Sequence, residues 1–495
     1  MPADLDDLFT ALGRQADTLP LAGAGHARQR GRRRRARNRA VLAGVAVLAV
    51  LTGIGVAVTR DRHAEPILPA TTPARVRGLA PAGEPLRLGE GRMWSNARIS
   101  GNRVIGFSMV GDGGHETVAV DSSTGATLWR LSSTDTFYRG VAATAEAVIL
   151  LRELDTRSED VTAPQDRILY FHDPATGTRR WELRHIDRDR LVLHEKVLVR
   201  LIYTTGVTEA YDLATGRRLW SVPAGPDRPR LMDGMATENG AHEYGSANTA
   251  LFDPSSERAF PFTDDRLVQV TAAGRVVIRD IRTGKVRSTV QAWTTALDVW
   301  EQRPGVIGID SVIAYEGTVY LTAYDDKGTQ LGTPDRILHR RPASWDWEDF
   351  VPCGRRRLCV FEHRGAREAR TVMIDAATGT VLRTTGAVPG DGIASIRTGR
   401  LMMSFGGDGG TALYDPNGQA MYSDNGFGGF VDDGNVITLT QDAGDRRYTA
   451  RGVSTIDYRK TRLGVLPEIS GRCDWDETVL ACPAGRELRV WRFTR

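Results

Sequence analysis

The chain has 495 residues, of which 25% are charged, and a formal net charge of +4. Residues 1–60 hold ten Arg and four Asp, a net +6, so the remaining 435 residues carry about −2. That balance excludes the bulk positive field that binding to phosphate backbones needs, and nucleic acid is not an expected partner.

In chain order, the first predicted element is a short amphipathic helix. Leu5, Leu8, Phe9 and Leu12 recur at i, i+3, i+4 and i+7, with Asp4 where an N-cap belongs. It lies on a membrane or folds only weakly alone, or it docks a cytoplasmic protein partner. Eight Arg fill residues 28–39, and an uncharged apolar run of 20 residues follows, Ala40 to Thr59. At 1.5 Å per residue that run reaches about 30 Å, one bilayer core. Four Arg follow the run within 20 residues. The Arg excess on its N-terminal side places residues 1–39 in the cytoplasm and the bulk of the chain outside. A cleaved signal peptide is the rival reading, but a 39-residue n-region is too long for one. The expected localisation is the cell membrane, crossed once. Residues 60–85, with five Pro, read as an extended linker.

From residue 86 onward the pattern is all-β and repetitive. The phrase A-x-D-x-x-T-G-x-x-x-W runs from Ala119 to Trp129 and again from Ala210 to Trp220, and Phe171 to Trp181 repeats it with Phe replacing Ala. Asp121, Asp173 and Asp212 head the turns, where a carboxylate accepts bonds from amides two or three residues on. Gly125, Gly177 and Gly216 supply the positive φ of the turn. Trp129, Trp181 and Trp220 offer flat surfaces for docking a neighbouring unit, each with an N–H to donate. Further Asp at 280, 325, 375, 415 and 457 extend the series to eight, with a mean spacing of 48 residues. The later units change: Ser288 and Arg383 stand in the Trp position, Asp325 and Asp415 head shortened turns, and the Asp457 unit lacks the Gly. Repeats of this length that must bury both faces of small sheets predict a β-propeller. Eight four-stranded blades are expected, with seven as the alternative. Leu86–Leu88 and Leu488–Phe493 are expected to meet and close the ring.

The four Cys fall in two tight pairs, Cys353/Cys359 and Cys473/Cys482, each flanking a hairpin-like stretch. Outside the membrane these predict two local disulfides; the spacings do not suit zinc. The longest interval, Asp212 to Asp280, contains Pro226 to Ser246, with Met232, Met235, His242 and Tyr244. It reads as a polar insertion, either a disordered loop or a contact loop or lid over the central channel.

The repeated phrase resembles the tryptophan-docking motif of the pyrroloquinoline-quinone (PQQ)-like β-propellers, over roughly residues 86–495. That class includes quinoprotein dehydrogenases, outer-membrane assembly scaffolds and exported sensor domains, so the resemblance implies a fold more firmly than an activity. The dehydrogenase branch carries adjacent cysteines beside the cofactor and a calcium-binding set; no two Cys are adjacent here, and no local motif matches the set. A P-loop, a G-x-S-x-G elbow and an H-E-x-x-H pattern are also absent from the sequence. The expectation is therefore a non-enzymatic, membrane-anchored propeller without cofactor or metal. It would bind a protein or small ligand at the cell envelope. One alternative is a transmembrane regulator. The layout of acidic helix, Arg-rich stretch, span and exported propeller resembles actinobacterial membrane proteins that accompany extracytoplasmic-function sigma factors, and the 61 Arg against four Lys fit GC-rich coding. Leu5, Leu8, Phe9 and Leu12 would then make the cytoplasmic contact. A PQQ-dependent dehydrogenase is the least favoured alternative.

Overall fold

The computed structural model describes residues 73–495. It omits 111–113, 134–138, 155–164, 237–263, 293–307, 326–327, 354–355, 365–367, 387–391, 399, 406–409, 418, 443 and 445. The tail helix at Leu5–Leu12, the span at Ala40–Thr59 and most of the linker lie outside the described residues, as do His242 and Tyr244.

The described residues form strands and turns only, and no helix among them is long and apolar enough to cross a membrane. The strands make antiparallel meanders arranged as a propeller. Six are separate four-stranded sheets, at residues 92–133, 139–186, 190–222, 346–386, 392–424 and 427–466. An eight-stranded sheet joins two further meanders, 229–291 and 308–340, through a parallel pairing of Met235–Ala236 with Ala314–Tyr315. The last sheet has five strands. The sheets are thus eight, but not eight four-stranded blades, because two neighbouring meanders hydrogen-bond to each other and the last sheet takes an extra strand.

That last sheet closes the ring. Asp474–Trp475, Val479–Ala484 and Glu487–Thr494 come from the C-terminal end, and Gly78–Pro81 from the N-terminal end pairs Gly78 with Thr494 through Pro81 with Trp491. Leu86 and Arg87 pair with Leu488 and Glu487. The linker therefore ends before residue 78 rather than at 85. Pro81 is tolerated because it lies on an outermost strand, where one side of the backbone needs no partner.

Burial follows strand alternation and the seams between sheets. Between the 139–186 and 190–222 sheets lie Ile149, Leu169, Phe171, Leu191 and Leu198, all buried. At the closing sheet Leu88, Trp94, Val104, Val118 and Leu488 seal the first sheet against the last. Pro229–Ala236, read from the sequence as the start of a polar insertion, is an inner strand. Met232 and Met235 are 2% and 0% exposed, so they are core residues rather than loop contacts. Met fills the irregular space where two meanders share one sheet.

Both cysteine pairs are bridged, Cys353–Cys359 and Cys473–Cys482, with Cα–Cα distances of 5.6 and 4.2 Å. Cys482 sits in the middle strand of the closing sheet and is fully buried. Replacing Cys473 and Cys482 together by Ala is expected to destabilise the fold by about 2–3 kcal/mol, since a short closed loop no longer limits the unfolded chain. A denaturant midpoint unchanged from that of the parent chain would refute this.

Candidate functional site

The repeated phrase builds one device many times over, and each copy spans two sheets. Asp121 Oδ1 accepts the amides of Ser123 (3.0 Å) and Thr124 (2.9 Å) and both their hydroxyls. Asp173, Asp212, Asp280 and Asp375 repeat the pattern on Thr176, Thr215, Thr283 and Thr378. Gly125 N–H donates to Asp121 C=O at 2.8 Å, and Gly125, Gly177, Gly216, Gly284 and Gly379 all have φ between 69° and 77°. The tryptophan does not pack on its own turn. Trp129 donates Nε1–H to Pro174 C=O at 2.9 Å, Trp181 to Leu213 C=O at 3.0 Å, and Trp220 to Ile281 C=O at 2.9 Å. Each acceptor belongs to the turn of the following sheet. There each indole lies flat over the turn glycine: a Cβ at Gly177, Gly216 or Gly284 would approach it to 2.8, 2.5 or 2.8 Å. Trp181 is also stacked on Phe171, with centroids 3.7 Å apart.

This partnership explains why later units lose the Trp. Ser288 precedes the 308–340 meander, whose turn between third and fourth strands is the tight hairpin Thr333–Arg336. Asp325 heads the hairpin between the second and third strands, so it is not the docking aspartate of its unit. Arg383 precedes the turn of Asp415, which closes one residue early, Asp415 N–H bonding Gln419 C=O rather than the residue five on. Without a full turn in the next sheet, an indole has neither its carbonyl nor its glycine. Where a full turn remains, at Asp375–Gly379, the backbone of Leu338 lies against it, and a Cβ at Gly379 would come 2.6 Å from Leu338 C=O.

In the 427–466 sheet, Ser454 rather than Asp457 holds the aspartate position. Ser454 N–H bonds Arg459 C=O and Tyr458 N–H bonds Ser454 C=O, the same two bonds that Asp121 makes. Ser454 Oγ accepts from Ile456 and Asp457 amides at 3.2 and 3.4 Å. Tyr458 takes the glycine position at φ 55°, an uncommon conformation for a side chain with a Cβ. Asp457 instead binds Arg75 at 2.7 Å. Two docking contacts carried no signal in the repeat. Trp475 donates to Phe430 C=O at 3.1 Å and lies on Gly429. Ala82–Gly83 covers the first turn, where a Cβ on Gly83 would come 2.4 Å from Thr124 O.

The turns have an electrostatic consequence. Hydroxyls of Ser123 and Thr124, then the Thr124 amide, hold the Asp121 carboxyl below its ordinary value. For Asp375, burial pushes upward but is outweighed by the Thr378 hydroxyl and amide and the Ala377 amide. A depressed carboxyl stabilises the fold above its unfolded value, and that contribution disappears as pH falls through the folded value. Thermal stability is expected to be level from pH 7 to about 5 and to decline below about pH 4. Asp375→Asn should flatten that acid decline, as read by melting temperature against pH; an unaltered slope would count against the assignment.

Two buried carboxylates outside the repeated turns have internal partners. Glu362, fully buried, accepts from His339 Nε2 at 2.9 Å and from Arg370 Nε and Nη2 at 2.7 and 2.6 Å. Arg370 in turn covers the Trp345 ring at 4.0 Å. Burial pushes the Glu362 carboxyl up, but His339 and Arg370 outweigh it and keep it low. Asp233, on the inner strand Pro229–Ala236, bonds the Gly234 amide at 2.7 Å, and burial drives its carboxyl well above the ordinary range. Among the described residues no group of three or more His, Cys, Asp or Glu is placed to hold a metal. A cavity of about 210 Å³, lined by Pro73, Arg75, Asn435, Ser454, Ile456 and Asp457, marks where the chain runs onto the closed ring. It is smaller than a typical cofactor pocket.

Residues 204–348 match the family model described as outer membrane protein assembly factor BamB. Over that stretch the chain is similar to PQQ-like β-propeller repeat proteins. The matched stretch begins ahead of the turn that receives Trp181 and continues through the eight-stranded sheet, so it includes the Asp212–Trp220 phrase. No curated protein matches the sequence. Among solved structures, a computationally designed protein, Ika8, is 12% identical and covers 84% of this chain and 100% of its own, with a TM-score of 0.39. BamB from Moraxella catarrhalis is 11% identical, with 86% and 99% coverage and a TM-score of 0.36. A eukaryotic initiation factor is 12% identical, with 82% and 92% coverage and a TM-score of 0.46. Likenesses at this level say nothing of function.

Proposed function

We propose that this protein is a non-enzymatic, membrane-anchored propeller that binds a protein or ligand outside the cytoplasm. The observation that carries this reading is the oxidised state of all four cysteines, with Cys353, Cys359 and Cys482 buried. Such pairs form in oxidising compartments, which fits export of the domain beyond the Ala40–Thr59 segment. The non-enzymatic side rests on the repeated phrase: its Asp, Gly and Trp are occupied in holding sheet to sheet. The binding role is supported by the family model's description as an assembly factor, from which only the class of activity, protein binding, is carried over. We also count the two halves of the eight-stranded sheet as adjacent blades, since their inner strands run parallel as neighbouring inner strands do.

Topology is tested with tags at both ends of the full chain in spheroplasts. External protease should remove the C-terminal tag and spare the N-terminal one, and carbonate washing should leave the protein in the membrane. Protection of the C-terminal tag would defeat the reading. The regulator alternative keeps its own test, because Leu5, Leu8, Phe9 and Leu12 space as one apolar face. A sigma factor captured by residues 1–39 should be lost on Leu8→Asp or Phe9→Asp, and capture unaffected by both would remove that alternative.

A further inference from the structure

Antiparallel meanders put the turn after the first strand and the turn after the third at one end, and the remaining connections at the other. The turns after the third strands, headed by Asp121, Asp173, Asp212, Asp280, Asp375 and Asp415, by Ser454, and by the Thr333–Arg336 hairpin, therefore share one face of the ring. The N-terminal stretch runs onto the ring at that same face. Val76 N–H donates to Asn435 Oδ1 at 3.0 Å, and Asn435 Nδ2 and the C-terminal Arg495 both hold Ala74 C=O, at 3.1 and 2.8 Å. Arg75 meets Asp457 beside the Ser454–Tyr458 turn.

Ten large apolar side chains are exposed among the described residues, and seven of them lie at this face: Leu128, Val286, Ile337, Val381, Leu382, Met421 and Ile456. They come from six different meanders, so they form a rim and not one patch. Met93, Val290 and Val465 lie toward the opposite face. The eight strands that follow the turns after the third strands begin Thr-Leu, Arg-Arg, Arg-Leu, Val-Arg, Arg-Ile, Val-Leu, Ala-Met and Lys-Thr. None of these sixteen residues is acidic, and all are exposed or half-buried. The face as a whole is mixed in charge: the turns after the first strands add the exposed Glu195, Glu316 and Glu477, and Arg179, Arg180, Arg218 and Arg287 pair with Glu182, Asp173, Glu209 and Asp280.

We propose that this rim rests on a lipid bilayer surface, with the apolar side chains in the headgroup region. This rests on the membrane-anchored reading above. Single apolar side chains spread around a ring suit a flat fluid surface; a protein partner is ordinarily met by a contiguous apolar patch. The sequence also restricts the distance. Thirteen residues separate the apolar run, ending at Thr59, from Pro73. Even fully extended they span at most about 45 Å, and they join the domain at the face that carries the rim.

The test is hydroxyl-radical footprinting, with mass spectrometry, of the full chain in phosphatidylcholine/phosphatidylglycerol nanodiscs and in dodecyl maltoside. Labelling of the seven rim residues, relative to Met93, Val290 and Val465 in the same molecule, should fall at least threefold in nanodiscs. Leu128→Glu with Val286→Glu and Leu382→Glu, all at exposed positions, should restore labelling at Ile337, Val381, Met421 and Ile456. If the chain co-elutes with nanodiscs and the ratio is unchanged, the rim proposal is overturned and the anchor stands. If protection is equally present in detergent, a contact other than the bilayer covers the rim and the proposal is again overturned. If the chain does not co-elute with nanodiscs, the anchored reading and the proposal fall together.

Discussion

Replacing Trp181 by alanine is expected to cost about 3–5 kcal/mol, the largest effect of any single docking substitution. Three losses coincide. The indole leaves a void between the 139–186 and 190–222 sheets, in contact with Phe171 at 3.7 Å and with Tyr211. Leu213 C=O loses its 3.0 Å donor. The Asp212–Gly216 turn loses the flat surface beneath its glycine. Equilibrium denaturation of the Trp181→Ala chain measures the total, and a loss below about 1 kcal/mol would mean the indole covers the seam without supporting it. Trp181→Phe should recover part of the packing and none of the hydrogen bond.

Gly216→Ala is the companion experiment, with an expected cost of about 2–4 kcal/mol. Part is conformational, because Gly216 sits at φ 71°, where a side chain with a Cβ costs about 1 kcal/mol. The rest is collision: the new methyl would lie 2.5 Å from Trp181, and overfilling a packed seam costs about 1–3 kcal/mol. The two sites are therefore coupled. With Trp181→Ala already present, Gly216→Ala should cost only its conformational part, about 1 kcal/mol. Strict additivity in the double-mutant cycle would separate glycine and indole energetically and undo the account of docking between sheets.

The same coupling explains how far the sequence could be read. The turn chemistry is local: an aspartate accepting amides two and three residues on, and a glycine at positive φ, occupy a five-residue window and leave a recognisable phrase. The tryptophan is local in sequence but its partner is 32 to 61 residues away. Its purpose as a surface for docking was legible, while the identity of the surface it meets was not. Departures from the phrase misled for that reason. Asp325 sits before a plausible turn, yet its hairpin lies at the other end of the meander. Asp457 looks like the eighth aspartate, yet Ser454 makes the bonds, because hydroxyl and carboxylate both accept amides and sequence spacing does not reveal which one does.

By itself the sequence determined the all-β class, the propeller and the two local cysteine pairs, which follow from alternation, turn chemistry and short-range spacing; of the expected meeting of Leu86–Leu88 with Leu488–Phe493, the structure has Leu86 against Leu488, while Trp491–Thr494 pairs with Gly78–Pro81 instead. Tertiary structure alone decided that two meanders share one sheet, that Gly78–Pro81 belongs to the ring and not to the linker, and that Met232 and Met235 are core. It alone gathered seven apolar side chains from six meanders onto the face where the chain joins the ring. These outcomes depend on which strand ends point the same way and which edges find partners. Those are properties of the closed ring, and no single stretch of chain contains them.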